Sequence, residues 1–304
     1  VCLLRFNRDG RLRVPFGYVS GLACDPIEKK PFYHFHPGVT ALSYGMLGCN
    51  LHCWFCQNWY TSQTLRDAHA STSGLTRCTP AELVQAAEAN DAPVIASTYN
   101  EPIITSEWSH AVFSLAKVRG LSTCYVTNGH GTTELWDYLA PCLDAANVDL
   151  KCFTSEGYRR LGGRLEAVRE SIATLERLGV WVEVTTLVVP GFNDDPAELR
   201  AAAEFLVSIS PDIPWHLSAF HPDYRCRDVG PTPLSLLMDT ADTGRSAGLR
   251  YVYIGNVASR DGGTTFCPAC GEAVVKRSGF RVQALALRDG CCSACGAPIA
   301  GHWG

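Results

Sequence analysis

From Thr40 to Ile254 the chain alternates short β-branched apolar runs with longer amphipathic ones, and this alternation restricts the fold more than any other feature. The spacing predicts strands over 40–47, 93–98, 122–127, 146–150, 180–189, 215–219 and 250–254. Between them it predicts helices over 79–90, 103–118, 133–139, 165–178, 195–208 and 234–247. The first helix carries its own start signal. Thr79-Pro80-Ala81-Glu82 is a capping box with proline at the first helical position. Strands joined through helices are parallel, because a hairpin cannot make that connection. Six or seven such units in a row predict an α/β fold, an incomplete (β/α)6-type TIM barrel, with a doubly wound sheet as the alternative.

The expected division is an N-terminal extension over 1–38, a partial barrel over 39–258 and a small C-terminal domain over 264–304, joined at Gly262-Gly263. The extension carries a hairpin-like turn at Asn7-Arg8-Asp9-Gly10. The chain starts at Val1, which reads as a fragment boundary or a processed end.

Fifteen cysteines in 304 residues are too many to ignore and too scattered for a disulfide scaffold of the small secreted kind. Seven fall into metal-type spacings, which favours ligation in a reducing compartment such as the cytoplasm. Cys267-Pro-Ala-Cys270 and Cys292-Ser-Ala-Cys295 form two C-x2-C knuckles, the pattern of a zinc ribbon with a closed, structural Zn site. Cys291 competes with Cys292 for the third position, and spacing favours Cys292. Cys24, Cys78, Cys124, Cys142, Cys152 and Cys226 read as small apolar packing residues. A net charge of −4 gives no general attraction to nucleic acid or anionic membrane. No apolar stretch is long enough to span a bilayer. The few basic residues near the knuckles (Lys276, Arg277, Arg281 and Arg288) argue against a nucleic-acid partner.

The remaining three, Cys49, Cys53 and Cys56, lie in the loop after the first barrel strand, in Gly48-Cys49-Asn50-Leu51-His52-Cys53-Trp54-Phe55-Cys56-Gln57-Asn58. Three thiolates on an iron–sulfur cube leave one iron with an open coordination position. The other readings of the triplet are a zinc knuckle or idle thiols. In a barrel, functional groups gather where strands end. Tyr99-Asn100-Glu101-Pro102, Thr127-Asn128-Gly129, Asp149-Leu150-Lys151, Val189-Pro190-Gly191 and Phe220-His221-Pro222 all fall there. Taken singly, Glu101 also suits a helix start, Asn128-Gly129 an ordinary turn and Lys151 a solvated charge. His34, His36 and His52 read as packing or surface groups, with His52 a neighbour of the sulfurs. His216 and His221 are candidates for the substrate side.

The C-x3-C-x2-C spacing, with an aromatic before the last cysteine, resembles the radical S-adenosylmethionine (SAM) superfamily. The run Cys49 to Gln63 is similar to relatives of pyruvate formate-lyase activating enzyme. Asp25 to Pro31, Asn147 to Lys151, Trp181 to Asp194, Trp215 to Tyr224 and Tyr251 to Asn256 resemble the AmmeMemoRadiSam-system radical SAM enzymes.

The resemblance implies a [4Fe–4S] cluster on Cys49, Cys53 and Cys56, with SAM chelating the unique iron. It implies reductive cleavage to methionine and a 5′-deoxyadenosyl radical. It places Glu101 at the SAM amino group. The other groups of SAM make their own demands: Lys151 or backbone N–H groups suit the carboxylate, Asn128 or Asp149 the ribose hydroxyls, and Phe55 and Val189 the adenine. Asn100, Thr127 and His221 complete the expected cofactor-binding set. It further implies an electron donor such as flavodoxin or ferredoxin, and by family name Memo-like and AMMECR-like partners. The substrate is open: a glycyl-radical or other protein, a small molecule or a peptide. The reading from a different class is a zinc-stabilised interaction module on a degenerate barrel. Two departures stand out. Val126 occupies a position where activating enzymes often carry an Asp. Cys2 resembles the end of a cysteine-rich segment that this chain does not contain.

Overall fold

The computed structural model describes residues 2–67, 69 and 74–303, so Val1 lies outside the described residues. Its main sheet has eight strands: β1 (Gly21–Pro26), β2 (Thr40–Gly45), β3 (Val94–Ser97), β4 (Ser122–Thr127), β5 (Ala145–Asp149), β6 (Trp181–Val188), β7 (Trp215–Ala219) and β8 (Val252–Gly255). They lie side by side in chain order. β1 is antiparallel to β2, and β2 through β8 are parallel to one another. Sequential order is the barrel pattern; a doubly wound sheet reverses direction at a switch point. The edges β1 and β8 do not pair, so the barrel is incomplete.

The outer layer is helical: α1 (Pro80–Ala89), α2 (Ser106–Val118), α3 (Thr133–Leu139), α4 (Ser155–Leu161), α5 (Leu165–Arg177), α6 (Pro196–Ile209) and α7 (Leu234–Ala247). The capping box of α1 is formed in full: the Thr79 hydroxyl accepts from the Glu82 amide, and the Glu82 carboxylate from the Thr79 amide. Thr79→Ala is expected to cost about 1 kcal/mol in urea denaturation, because one orphan helix donor loses its acceptor. The expected helix over 103–118 begins instead with a 3-10 turn, Pro102–Thr105, which positions Glu101. Helix α4 and strand β1 were not expected.

Inside the barrel, the lower end is filled. Ile27, Phe32 and Phe35 insert against Ala41, Val94, Ala96, Cys124 and Ala145 of four strands. Small residues at those inward positions make room for the inserted rings. The plug's backbone polar groups find partners on the strands above. Asn147 Nδ2 donates to the Pro31 carbonyl at 2.7 Å, and the Tyr33 and His34 amides donate to Glu183. The segment expected to be a loose extension is therefore the floor of the barrel.

The C-terminal unit is built from Thr265–Phe266, Ala273–Ser278 and Arg281–Leu285 in one small antiparallel sheet, with Leu287–Arg288 paired to Cys291–Cys292. It shares a core with the barrel edge: Tyr33, Tyr251 and Tyr253 pack with Cys267, Val274, Val275, Cys292 and Ile299. Arg277 is wholly buried there. It donates to the Tyr33 carbonyl at 2.6 Å, to the Gly263 carbonyl and to Thr265, and it pairs with Glu28.

Candidate functional site

One cavity of about 350 Å³ opens inside the barrel above the plug, within the size range of small-molecule sites. Cys49, Cys53, Phe55 and Cys56 form part of its wall, facing Asn100, Glu101, Asn128, Asp149 and Lys151. Thr185, His216 and Tyr253 line it nearer the plug. Thr127, Val189 and His221 do not line it. Val189 is buried in the helix-facing core. The ring Nδ1 of His221 accepts from Gln57 at 2.7 Å at the exposed side of the cysteine loop. Thr127 acts through Glu101.

The cysteine loop is held from several sides. Gly48 has φ +88, and a Cβ there would meet Leu4 Cδ1 at 2.7 Å. Its amide donates to Thr61 O and its carbonyl accepts from the Glu101 amide. Asn100 staples the end of β2, accepting from the Met46 amide at 2.9 Å. Arg66 donates to the carbonyls of Cys49 and Leu51. The sulfurs have polar neighbours as well. The Leu51 amide lies 3.3 Å from Cys49 Sγ, Asn128 Nδ2 lies 3.6 Å from it, and Ser62 Oγ lies 3.2 Å from Cys56 Sγ. Burial pushes the Cys53 thiol up to about 12 and holds Cys49 and Cys56 above the ordinary thiol range. These three do not converge on a point. Among the described residues, the four C-terminal cysteines are the only group of three or more His, Cys, Asp or Glu side chains whose ligand atoms all lie within 4.8 Å of one another. Thiols spread around a cavity, with donors aimed at them, fit corner ligation of a cube rather than capture of a single ion.

Glu101 is fully enclosed and takes three donors: Thr127 Oγ1 at 2.6 Å, the Ile103 amide at 3.0 Å and the Asn128 amide at 2.7 Å. Burial outweighs those bonds and lifts its carboxyl to about 7. The carboxylate thereby fixes the Thr127-Asn128 turn. Asn128 in turn donates to Asn50 at 2.7 Å, inside the cysteine loop. Lys151 is not a solvated charge. It is largely buried and pairs with Asp149 at 2.9 Å. Burial opposes its charge, but Asp149 and the nearby cysteines hold its pKa above the usual lysine value. Phe55 packs edge-on to Trp54 and obliquely to Phe192. His52 is exposed on the loop.

Two groups were missed as a pair by sequence reasoning: Glu183 and His216. A glutamate in the apolar strand Trp181–Val188 was the available signal, because a charge in a central strand needs a reason. Likewise His34, read as packing or surface, is a buried linker. Its Nδ1 donates to the Ala300 carbonyl at 2.6 Å, so its Nε2 accepts from the Tyr253 hydroxyl.

In the C-terminal unit, Cys267 and Cys295 lie 3.6 Å apart through sulfur, and Cys270 and Cys292 3.8 Å. Ligands about 2.3 Å from one tetrahedral ion stand about 3.8 Å from each other, so the four sulfurs match a single-ion site. Cys291 is outside the group.

A sequential parallel sheet, with a three-cysteine loop and polar side chains meeting at its strand ends, defines a cluster-bearing barrel. The chain belongs to the radical SAM superfamily, whose family model matches residues 44–205. An uncharacterised protein of Methanocaldococcus jannaschii is 37% identical over 303 residues, covering 98% of this chain and 89% of that protein. A radical SAM methyltransferase from Sphaerobacter thermophilus superposes with a TM-score of 0.53 at 19% identity, over 73% of this chain and 68% of that one. QueE from Escherichia coli does so with 0.50 at 14% identity, over 78% and 93%. At these identities the two structures establish the fold alone. Superfamily membership makes the chain an enzyme and implies a [4Fe–4S] cluster and SAM. Enzymes of this class take electrons from a flavodoxin or ferredoxin. No described helix is long and apolar enough to cross a membrane.

Proposed function

We propose that this enzyme cleaves SAM reductively at a cluster on Cys49, Cys53 and Cys56 and removes a hydrogen from a substrate held in the same cavity. The observation that supports this is that the three cysteines and Glu101, Asn128, Asp149 and Lys151 line one cavity. A bound cluster supplies the electron and the open iron position; the rest falls to the chain. Lys151, charged and paired, meets a carboxylate. Asp149 and Asn128 face hydroxyls, and Phe55 offers an apolar face. Glu101 sets the turn that carries Asn128 and presents negative charge toward an ammonium. The enclosed floor favours a small molecule or a slender peptide over a folded protein surface, leaving glycyl-radical activation as the second reading. The cysteine-paired unit over 264–304 is proposed as a zinc ribbon that completes the barrel, and the compartment as the cytoplasm. Memo-like and AMMECR-like partners rest on the family resemblance only.

The test is anaerobic reconstitution with iron and sulfide, addition of SAM and dithionite, and chromatography of 5′-deoxyadenosine. A protein with a full cluster that forms none sinks the reading. Glu101→Gln is expected to weaken SAM binding roughly 10- to 100-fold in equilibrium dialysis, the worth of a charge-assisted hydrogen bond. Unchanged affinity would remove Glu101 from the binding set.

A further inference from the structure

The inward row across four strands is Asp149, Thr185, His216 and Tyr253, each aligned with the next in the parallel register. All four line the cavity, between the cysteine loop above and the plug below. Three have their polar side-chain groups engaged within the protein, whereas His216, among the described residues, has one ring nitrogen engaged and one not. Asp149 pairs with Lys151, Thr185 Oγ1 donates to Asn147 at 2.8 Å, and the Tyr253 hydroxyl donates to His34. His216 differs. Its Nε2 donates to Glu183 Oε2 at 2.6 Å, and no hydrogen bond is made by its Nδ1 among the described residues.

Glu183 holds that ring firmly. Its carboxylate also accepts from the Tyr33 amide, the His34 amide and Trp181 Nε1 at 2.8–3.1 Å. Tyr33 packs edge-on to the imidazole at 4.7 Å, and Tyr253 stacks on it at 5.1 Å. The groups facing it from all sides are therefore Glu183 on β6, Tyr33 and His34 on the plug, Tyr253 on β8, and Arg277 behind Tyr33. Arg277 is engaged with Glu28, and the bonds of His34 fix it in the neutral tautomer. Burial works against the Glu183 charge, yet its hydrogen bonds, led by that from His216, keep its carboxyl below the usual range. An enclosed carboxylate needs compensating positive charge, and His216 is the titratable ring bonded to it. A second proton on that ring sits at Nδ1, as a donor toward the cavity. Lys30 adds an ammonium to the same cavity wall.

We infer that His216, oriented by Glu183, is a substrate-binding residue that receives an oxyanion, such as a carboxylate, at the floor of the chamber. This rests on the radical SAM reading, since it assumes that the upper part of the cavity is taken by SAM. It makes the substrate a small acid, or a peptide with an acidic side chain, reaching past SAM into the barrel.

The experiment uses the reconstituted holoenzyme with SAM, and sodium acetate as the probe, with methylammonium chloride as its cationic counterpart. Binding is followed by NMR of the ¹⁵N-labelled imidazoles, and 5′-deoxyadenosine formation by wild type is measured separately. Acetate is expected to bind and shift the His216 ring signals, and methylammonium is not. His216→Gln, which keeps a donor for Glu183, is expected to weaken acetate roughly 10-fold, the worth of one charge-assisted bond. A purely structural His216 would show no acetate-dependent change in its own ring signals. Equal acetate affinity in His216→Gln, preference for methylammonium, or His216 ring signals indifferent to acetate overturns the inference. Absence of 5′-deoxyadenosine from the wild type with normal acetate binding overturns the radical reading instead.

Discussion

Cys53→Ala is expected to abolish 5′-deoxyadenosine formation and to lower bound iron and labile sulfide together, while leaving the barrel folded. The reasoning is local. Cys53 sits at the centre of the triplet and is almost wholly buried. Two remaining thiolates would hold a cube poorly, and SAM held by Glu101 and Lys151 would then lack the iron it needs. The side chain lost is small, so the fold bears only a modest packing change, on the order of 1 kcal/mol. Turnover should drop by at least about 10³-fold, to the detection limit, because electron entry depends on the intact cluster. Iron and sulfide analysis with single-turnover chromatography checks both halves. Full activity in Cys53→Ala would place the chemistry elsewhere. Retained zinc and no iron in the wild type would favour the interaction-module reading.

The second large effect concerns the other cysteine group. Cys292→Ala, or a strong chelator, is expected to release one zinc ion per chain and lower the melting temperature by on the order of 10 °C, since binding at such sites is folding free energy. Cys292 is the apt choice because it is buried in the core shared with Tyr251 and Tyr253. Loss of metal there frees the hairpin that carries Arg277 and Phe280. Phe280 lines the cavity, and Arg277 holds Glu28 and Tyr33, which line it too. SAM cleavage should therefore fall along with stability, even though none of the four C-terminal cysteines lines the cavity. Scanning calorimetry and elemental analysis read the effect. A melting curve indifferent to chelation would mean the four sulfurs hold no structural ion.

Much of this was legible in the chain. The strands over 122–127 and 215–219 and the helices over 133–139 and 234–247 have the expected bounds, because caps and periodicity coincide there. The Thr79 box is a complete local signal and needed no tertiary help. The plug was not legible: Ile27, Phe32 and Phe35 carry no period, and their burial depends on alanines far along the chain. The same holds for Glu183 and His216, which only the register of β6 and β7 brings together. Lys151 could be read either as a partner for the SAM carboxylate or as a solvated charge, because a single lysine says nothing of the depth of its strand end. Glu101 could be read either as a helix start or as a ligand. It caps the Pro102–Thr105 turn and also lines the cavity, so the first role leaves the second open to it.

The bond from His34 to Ala300 has a consequence in time. A residue near the beginning of the chain waits for one near its end, some tens of seconds at the usual ~5–20 residues per second of synthesis. Until Ala300 is in place, the His34 ring lacks the acceptor that fixes its tautomer, so the floor of the chamber takes its final form only after the cysteine loop has been made.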